Sequence, residues 1–130
     1  MRDRDASLHE VHELTRRSFI EGNAELIAPH IGDRELVVTD GTVREETLLE
    51  WRRRFSGTLA ETRFDRWEDV EPPRSGISAD GTMAWLIEVV ELAGTRGEAR
   101  FETRTARLTV FEKRDSRWRR VANASTSAPM

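Results

Sequence analysis

From Glu98 to Ser127 the chain reads EARFETRTARLTVFEKRDSRWRRVANASTS, two long extended arms joined by a tight turn at Arg114–Arg117. In the first arm Phe101, Thr103, Thr105, Arg107, Thr109 and Phe111 fall on one side. Arg104, Ala106, Leu108 and Val110 fall on the other. Neither side is uniformly polar, so one face must pack and the other must be polar but covered. A curved sheet bent around a pocket satisfies both demands.

The rest of the chain supplies helices first and strands afterwards. Residues 5–21 form an amphipathic helix whose stripe is Leu8, Val11, Thr15 and Phe19, with His12 inside it. Ser7 and Glu10 read as a capping box, with Asp3 or Asp5 as earlier starts, and Gly22 as the stop. Asn23 caps a short second helix through Leu26 and Ile27. A strand, residues 35–39, closes at the Asp40-Gly41 turn. Thr42, with Glu45 completing the box, begins a third helix that buries Thr47, Leu48, Trp51 and Phe55 and ends at Gly57. An extended segment follows over residues 59–70, then a connection forced by Pro72-Pro73, a strand near Ile77, and the apolar run MAWLIEVVEL from Met83 to Leu92. Gly94 to Gly97 then turns into the terminal hairpin. Helices followed by strands on short turns predict an α+β fold in one domain spanning residues 1–130.

Composition narrows the chemistry. A chain of 130 residues buries about two-thirds of its unfolded surface. Its 37% apolar and 35% charged content suits a thin shell around a pocket, or a core completed by a second subunit. Cysteine is absent, which excludes disulfides, thiolate metal sites and cysteine nucleophiles; tyrosine is absent too, removing the commonest phenolic donor. The net charge of −3 argues against nucleic acid as a partner. The Arg52–Arg54 and Arg117/Arg119/Arg120 groups are interspersed with Glu45, Glu46, Glu50 and Glu112, as on solvated mixed-charge faces. No apolar leader and no membrane-length apolar run is present, so no membrane and a cytoplasmic location are expected. With no Gly-rich phosphate loop, nucleophile elbow or zinc-spaced pair, no cofactor is expected.

Read in order, several stretches carry a resemblance. Phe19-Ile20-Glu21-Gly22-Asn23, Asp40-Gly41-Thr42, Asp80-Gly81-Thr82-Met83-Ala84-Trp85, Arg107-Leu108-Thr109-Val110-Phe111 and the run from Lys113 to Val121 together resemble the nuclear transport factor 2-like superfamily, in its SnoaL-like bacterial branch. The resemblance implies a cone-shaped fold in which three N-terminal helices pack on a curved antiparallel sheet and enclose a pocket. It also implies a homodimer paired through the outer face of the sheet. Members include isomerases, polyketide cyclases, dehydratases, hydrolases and non-catalytic assembly domains, so the fold leaves the reaction open. Two departures are informative. The histidine that many members carry six residues after the tryptophan matching Trp118 is Ala124 here, and the tyrosine of the steroid-isomerase branch has no counterpart.

By analogy with the kinase-association branch, Glu88, Arg107 and Asn123 point into the pocket as a polar trio. Glu88 interrupts an apolar run and needs a partner, because an unpaired buried carboxylate is costly. Arg107 is the natural one. Together they hold a substrate carboxylate or enolate, or they simply brace the shell as an ion pair. A one-residue slip in the last strand would turn Ala122 and Ala124 inward instead of Asn123. His12 is an acid, base or ligand donor, or a hydrogen-bonded packing histidine. His9, His12 and Glu13 share a quadrant of the first helix, but no second element offers metal ligands, so no metal is expected. Asp40 is either a pocket carboxylate or a turn residue. Trp51, Trp67 and Trp85 are pocket wall, core or dimer contact, and Thr109 shares the Arg107 face as a ligand contact.

These readings converge on a pocket protein for a small, partly apolar organic molecule, an anion included. If it is an enzyme, the expected chemistry is cofactor-free proton transfer of the isomerase, cyclase or dehydratase type. Glu88, or else His12 or Asp40, is then the base, and Arg107 holds the developing negative charge. The alternative is a non-catalytic dimerisation or ligand-sensing module.

Overall fold

The computed structural model describes residues 2–130, with side chains from Ser7 onward. In chain order the elements are α1 (Arg2–Glu21), two three-residue 3-10 turns (Ala24–Leu26 and Ala28–His30), β1 (Ile31–Thr39), β2 (Thr42–Thr47), α2 (Leu48–Glu61), β3 (Thr62–Asp69), β4 (Arg74–Ile77), β5 (Met83–Arg96), β6 (Ala99–Arg114) and β7 (Arg117–Pro129). The strands build one curved, unclosed seven-stranded sheet in the order β2-β1-β7-β6-β5-β3, with β4 also paired to β5. Every pairing is antiparallel except β1 with β7, which is parallel. Both helices lie on one face. Leu8 and Val11 of α1, Trp51 and Phe55 of α2, and Ile27 and Ile31 between them close over Ala84, Leu86, Phe111 and Trp118 of the sheet.

The long terminal hairpin forms as its turn chemistry requires. Asp115 and Ser116 both take positive φ (51° and 64°), the two-residue turn whose twist matches the flanking strands. Gly97, also at positive φ, turns β5 into β6.

The helical expectation needs correction. There are two α-helices among the described residues, not three N-terminal ones. Asn23 does cap, its side chain accepting from the Glu25 amide at 3.1 Å, but it starts a single 3-10 turn before Pro29. Thr42 begins a strand. Asp40 and Gly41 adopt positive φ (49° and 76°) and fold β2 back along β1 as a hairpin. The helix starts five residues later, where Thr47 and Glu50 make a reciprocal capping box. Gly57 does not stop it, since α2 runs on to Glu61. At the other end of the chain α1 starts at Arg2, which leaves Ser7 inside the helix rather than at its cap.

One irregularity decides the inward face of β7. Val110 pairs with Ala122 but Phe111 pairs with Arg120, so Val121 is an extra residue. Before the bulge Trp118 and Arg120 are buried; after it the parity changes and Asn123 is buried. No helix among the described residues is long and apolar enough to cross a membrane.

Candidate functional site

Glu88 and Arg107 lie directly opposite each other in the β5–β6 ladder. The Arg107 Nη2 donates to Glu88 Oε1 at 3.1 Å. Glu88 is almost wholly buried because it sits at the centre of the sheet under α1. From that helix His12 places Nδ1 2.6 Å from Glu88 Oε2 and Nε2 2.8 Å from Asp69 Oδ1, at the end of β3. Ionised carboxylates only accept hydrogen bonds, so both ring nitrogens must carry protons and His12 is an imidazolium. Burial alone would lower its pKa, but the hydrogen bond and charge of Glu88, then those of Asp69, raise it above the ordinary value. Burial likewise pushes Glu88 upward, and the charge of Arg107 with the hydrogen bond of His12 outweighs it, holding the carboxyl below its usual range. The result is a neutral four-membered chain, Asp69–His12–Glu88–Arg107, that ties α1, β3, β5 and β6 together.

Trp67 covers this chain, its ring 5.0 Å from that of His12. The space left beside Glu88 and Arg107 is small, about 50 Å³, walled by Phe19, Trp67, Val90, Leu92 and Thr105. Leu92 and Thr105 also line a neighbouring cleft of about 440 Å³ whose other walls include Phe64, Phe101 and Thr103. Phe64 stands edge-on to both Phe19 and Phe101, at 5.0 and 5.7 Å between centroids, which fixes the apolar wall. Arg107 spends one amino group on Glu88. It makes no other hydrogen bond among the described residues, and its side chain is 20% exposed toward this opening.

The remaining sequence candidates lie elsewhere. Asn123 does not join Glu88 and Arg107. It donates to Glu35 Oε2 at 2.7 Å, in a second buried cluster where Arg120 grips the same carboxylate through Nε and Nη2 at 2.9 and 3.0 Å. Thr109 is buried opposite Asn123 and does not line the space beside Arg107. Trp51 stacks on Phe55 in the core. Asp40 is exposed in the β1–β2 turn, as its glycine neighbour favours. Trp85 is 40% exposed on the opposite face of the sheet. Two partners were not foreseen. Asp69 is two residues beyond the buried Trp67 on an extended strand, and that spacing was a usable signal. Glu35 reads from sequence as an ordinary strand-entry charge.

No family model matches this chain, and no curated protein does. Solved structures do match. A nuclear transport factor 2-like protein from Cytophaga hutchinsonii is 16% identical with a TM-score of 0.77, over 98% of this chain and 100% of that one. A putative calcium/calmodulin-dependent kinase II association domain from Exiguobacterium sibiricum is 14% identical with a TM-score of 0.74, over 97% and 94%. A nuclear transport factor 2-like protein of unknown function in nutrient uptake from Rhodospirillum rubrum is 13% identical with a TM-score of 0.75, over 93% and 98%. The fold is therefore that of the nuclear transport factor 2-like superfamily.

Proposed function

We propose that this protein binds a small amphipathic organic anion, with its apolar body in the Phe64/Phe101 cleft and its anionic group at Arg107. The observation that carries this reading is the arrangement of Arg107, held by a buried carboxylate on one side and presenting free N–H donors to an apolar-walled opening on the other. The space of about 50 Å³ beneath the cleft takes a carboxylate group but not a whole ligand. Orienting an arginine by an ion pair fixes the direction of its remaining donors, which favours a forked contact with a carboxylate.

The charge states argue for binding over proton transfer by Glu88. A carboxylate held below its usual range by two cations is a weak base, and His12, with both protons committed to carboxylates, is a general acid at most. The SnoaL-like assignment, and the isomerase, cyclase or dehydratase chemistry that accompanies it, rest on the sequence resemblance alone.

The test compares 2-naphthoate with 2-naphthol by thermal shift. Wild type is expected to be stabilised by the naphthoate more than by the naphthol, and Arg107→Met to lose that preference while folding normally. If Arg107→Met responds to naphthoate as wild type does, the reading fails.

A second reading, homodimerisation through the outer face, is favoured by one observation. Val43, Val38, Ala124, Leu108 and Ile87 follow one another across five adjacent strands on the face away from the helices. Val43, Val38 and Leu108 are 69%, 43% and 41% exposed, and Trp85 adjoins the row. A second copy of the same uncharged row is its self-complementary partner. The Exiguobacterium neighbour is itself described as an association domain. Ligand binding and dimerisation use opposite faces of the sheet and are compatible.

A further inference from the structure

Beside the start of β1, next to the turn of the β6–β7 hairpin, lies a groove of about 370 Å³ that shares no residue with the cavity at Arg107. Two irregularities at one place open it. Val121 bulges from β7, and β1 slips against that strand: Ile31 pairs with Arg120 but Leu36 pairs with Ala122. Residues 32–35 therefore bow away from a single residue opposite. Gly32 makes the bow possible, because a Cβ there would fall 2.4 Å from the Arg120 carbonyl oxygen.

Three arginines line the groove. Arg34 donates to Glu45 at 2.8 Å, and Arg114 donates to Glu112. Arg119 stands opposite Glu112 in the ladder but makes no hydrogen bond among the described residues, and its Nε is buried without an acceptor. A buried donor with no acceptor has lost its water and gained nothing in exchange. Asp33 and Glu112 are the carboxylates in the lining.

We propose that this groove binds a small molecule of the phosphate-monoester class, with the amino groups of Arg119 making a forked contact to its oxygens. Arg34 and Arg114, each also paired with a carboxylate, offer further N–H donors from either side. A phosphate presents oxygens in several directions and so suits guanidiniums arriving from three strands, whereas a carboxylate offers one fork. The remaining volume accommodates the ester group.

His30 provides a readout independent of affinity. Its Nδ1 lies 2.8 Å from the Trp118 carbonyl oxygen; burial lowers its pKa, that hydrogen bond and Glu10 oppose the fall, and the charges of Arg117 and then Arg119 add to it. An anion seated on Arg119 raises the His30 pKa.

The experiment titrates inorganic phosphate, glycerol phosphate and acetate into wild type, Arg119→Gln and the α2 surface variant Arg53→Gln. Calorimetry gives affinities, and NMR follows the His30 ring. Wild type and Arg53→Gln are expected to bind both phosphates alike, with His30 shifting upward on saturation. Arg119→Gln is expected to bind about tenfold or more weakly. Its His30 pKa should start higher and rise only at correspondingly higher phosphate concentrations. Equal affinity in Arg119→Gln, absence of saturable phosphate binding by wild type, or acetate binding as tightly as phosphate would each overturn the proposal.

Discussion

His12 and Glu88 meet at 2.6 Å, Nδ1 to Oε2, and through that contact the first helix is fastened to the middle of the sheet. Asp69 at 2.8 Å on the other ring nitrogen and Arg107 at 3.1 Å on the other carboxylate oxygen extend the link across four elements. The whole chain of charges depends on the protonation of one ring.

Stability should therefore fall on the alkaline side. The folded pKa of His12 is raised above 6.5, so its contribution is fully present below that unfolded value and disappears as the pH climbs through the folded one. Glu88 acts at the acid end. Its folded pKa lies below 4.5, so its contribution is present above the unfolded value and is lost as pH falls through the folded one. Urea denaturation of wild type and His12→Asn from about pH 3 to 9 measures both limbs. His12→Asn should lack the alkaline decline, and identical slopes in the two proteins would mean that the imidazolium is not the linking species.

Removing both members of the buried pair should cost less than the two single removals added together. Glu88→Leu leaves His12 and Arg107 without their shared anion and is expected to lose about 3 kcal/mol. Arg107→Met should lose less, because His12 still neutralises Glu88 and the arginine is partly solvated. The double variant should fall short of the sum of the singles. Additivity to within about 0.5 kcal/mol in denaturant titrations would show that the two residues act independently.

Two glycines should respond to alanine with opposite signs. Gly57 lies inside α2 with open space where a Cβ would go, so Gly57→Ala should stabilise by about 0.5–1 kcal/mol. Gly94 is buried at the β3–β5 irregularity, where a Cβ would sit 2.1 Å from the Arg63 carbonyl oxygen. Gly94→Ala is expected to destabilise by about 2 kcal/mol. A destabilised Gly57→Ala would contradict the extension of α2 to Glu61.

Sedimentation tests the outer sheet face. Wild type is expected to run as a dimer at micromolar concentration. Leu108→Arg, on the face opposite Glu88 and Arg107, should run as a monomer with unchanged naphthoate response. A monomeric wild type removes the dimer from consideration and leaves the ligand reading standing.

The extent to which all this was legible varies with how local the determinant is. The β6–β7 hairpin, its turn, the β5 strand and the apolar stripe of α1 follow from periodicity and turn chemistry, each decided within a few residues. The Glu88–Arg107 pairing was legible too, since a carboxylate in an apolar run needs a cation and the strand face of β6 offered one. The helix start was not. Thr42-x-x-Glu45 and Thr47-x-x-Glu50 are the same capping pattern five residues apart, and pairing of the first with β1 leaves only the second free to cap. Thr47→Ala should accordingly cost about 1 kcal/mol and Thr42→Ala much less, as read by thermal melting.

The amino-acid order alone determined the long extended arms of β5, β6 and β7, the centres of both helices, and the need of Glu88 for a buried partner, because those properties are set by neighbours along the chain. Tertiary structure decided who the partners are. The extra residue at Val121 reverses the parity of β7, sends Asn123 to Glu35 and opens the groove beside Arg119, while the placement of α1 over β3 and β5 sends His12 to Glu88 and Asp69. A bulge is held in place by residues on the adjoining strands, and a helix is seated by the face it covers, so neither is encoded in any short stretch of sequence.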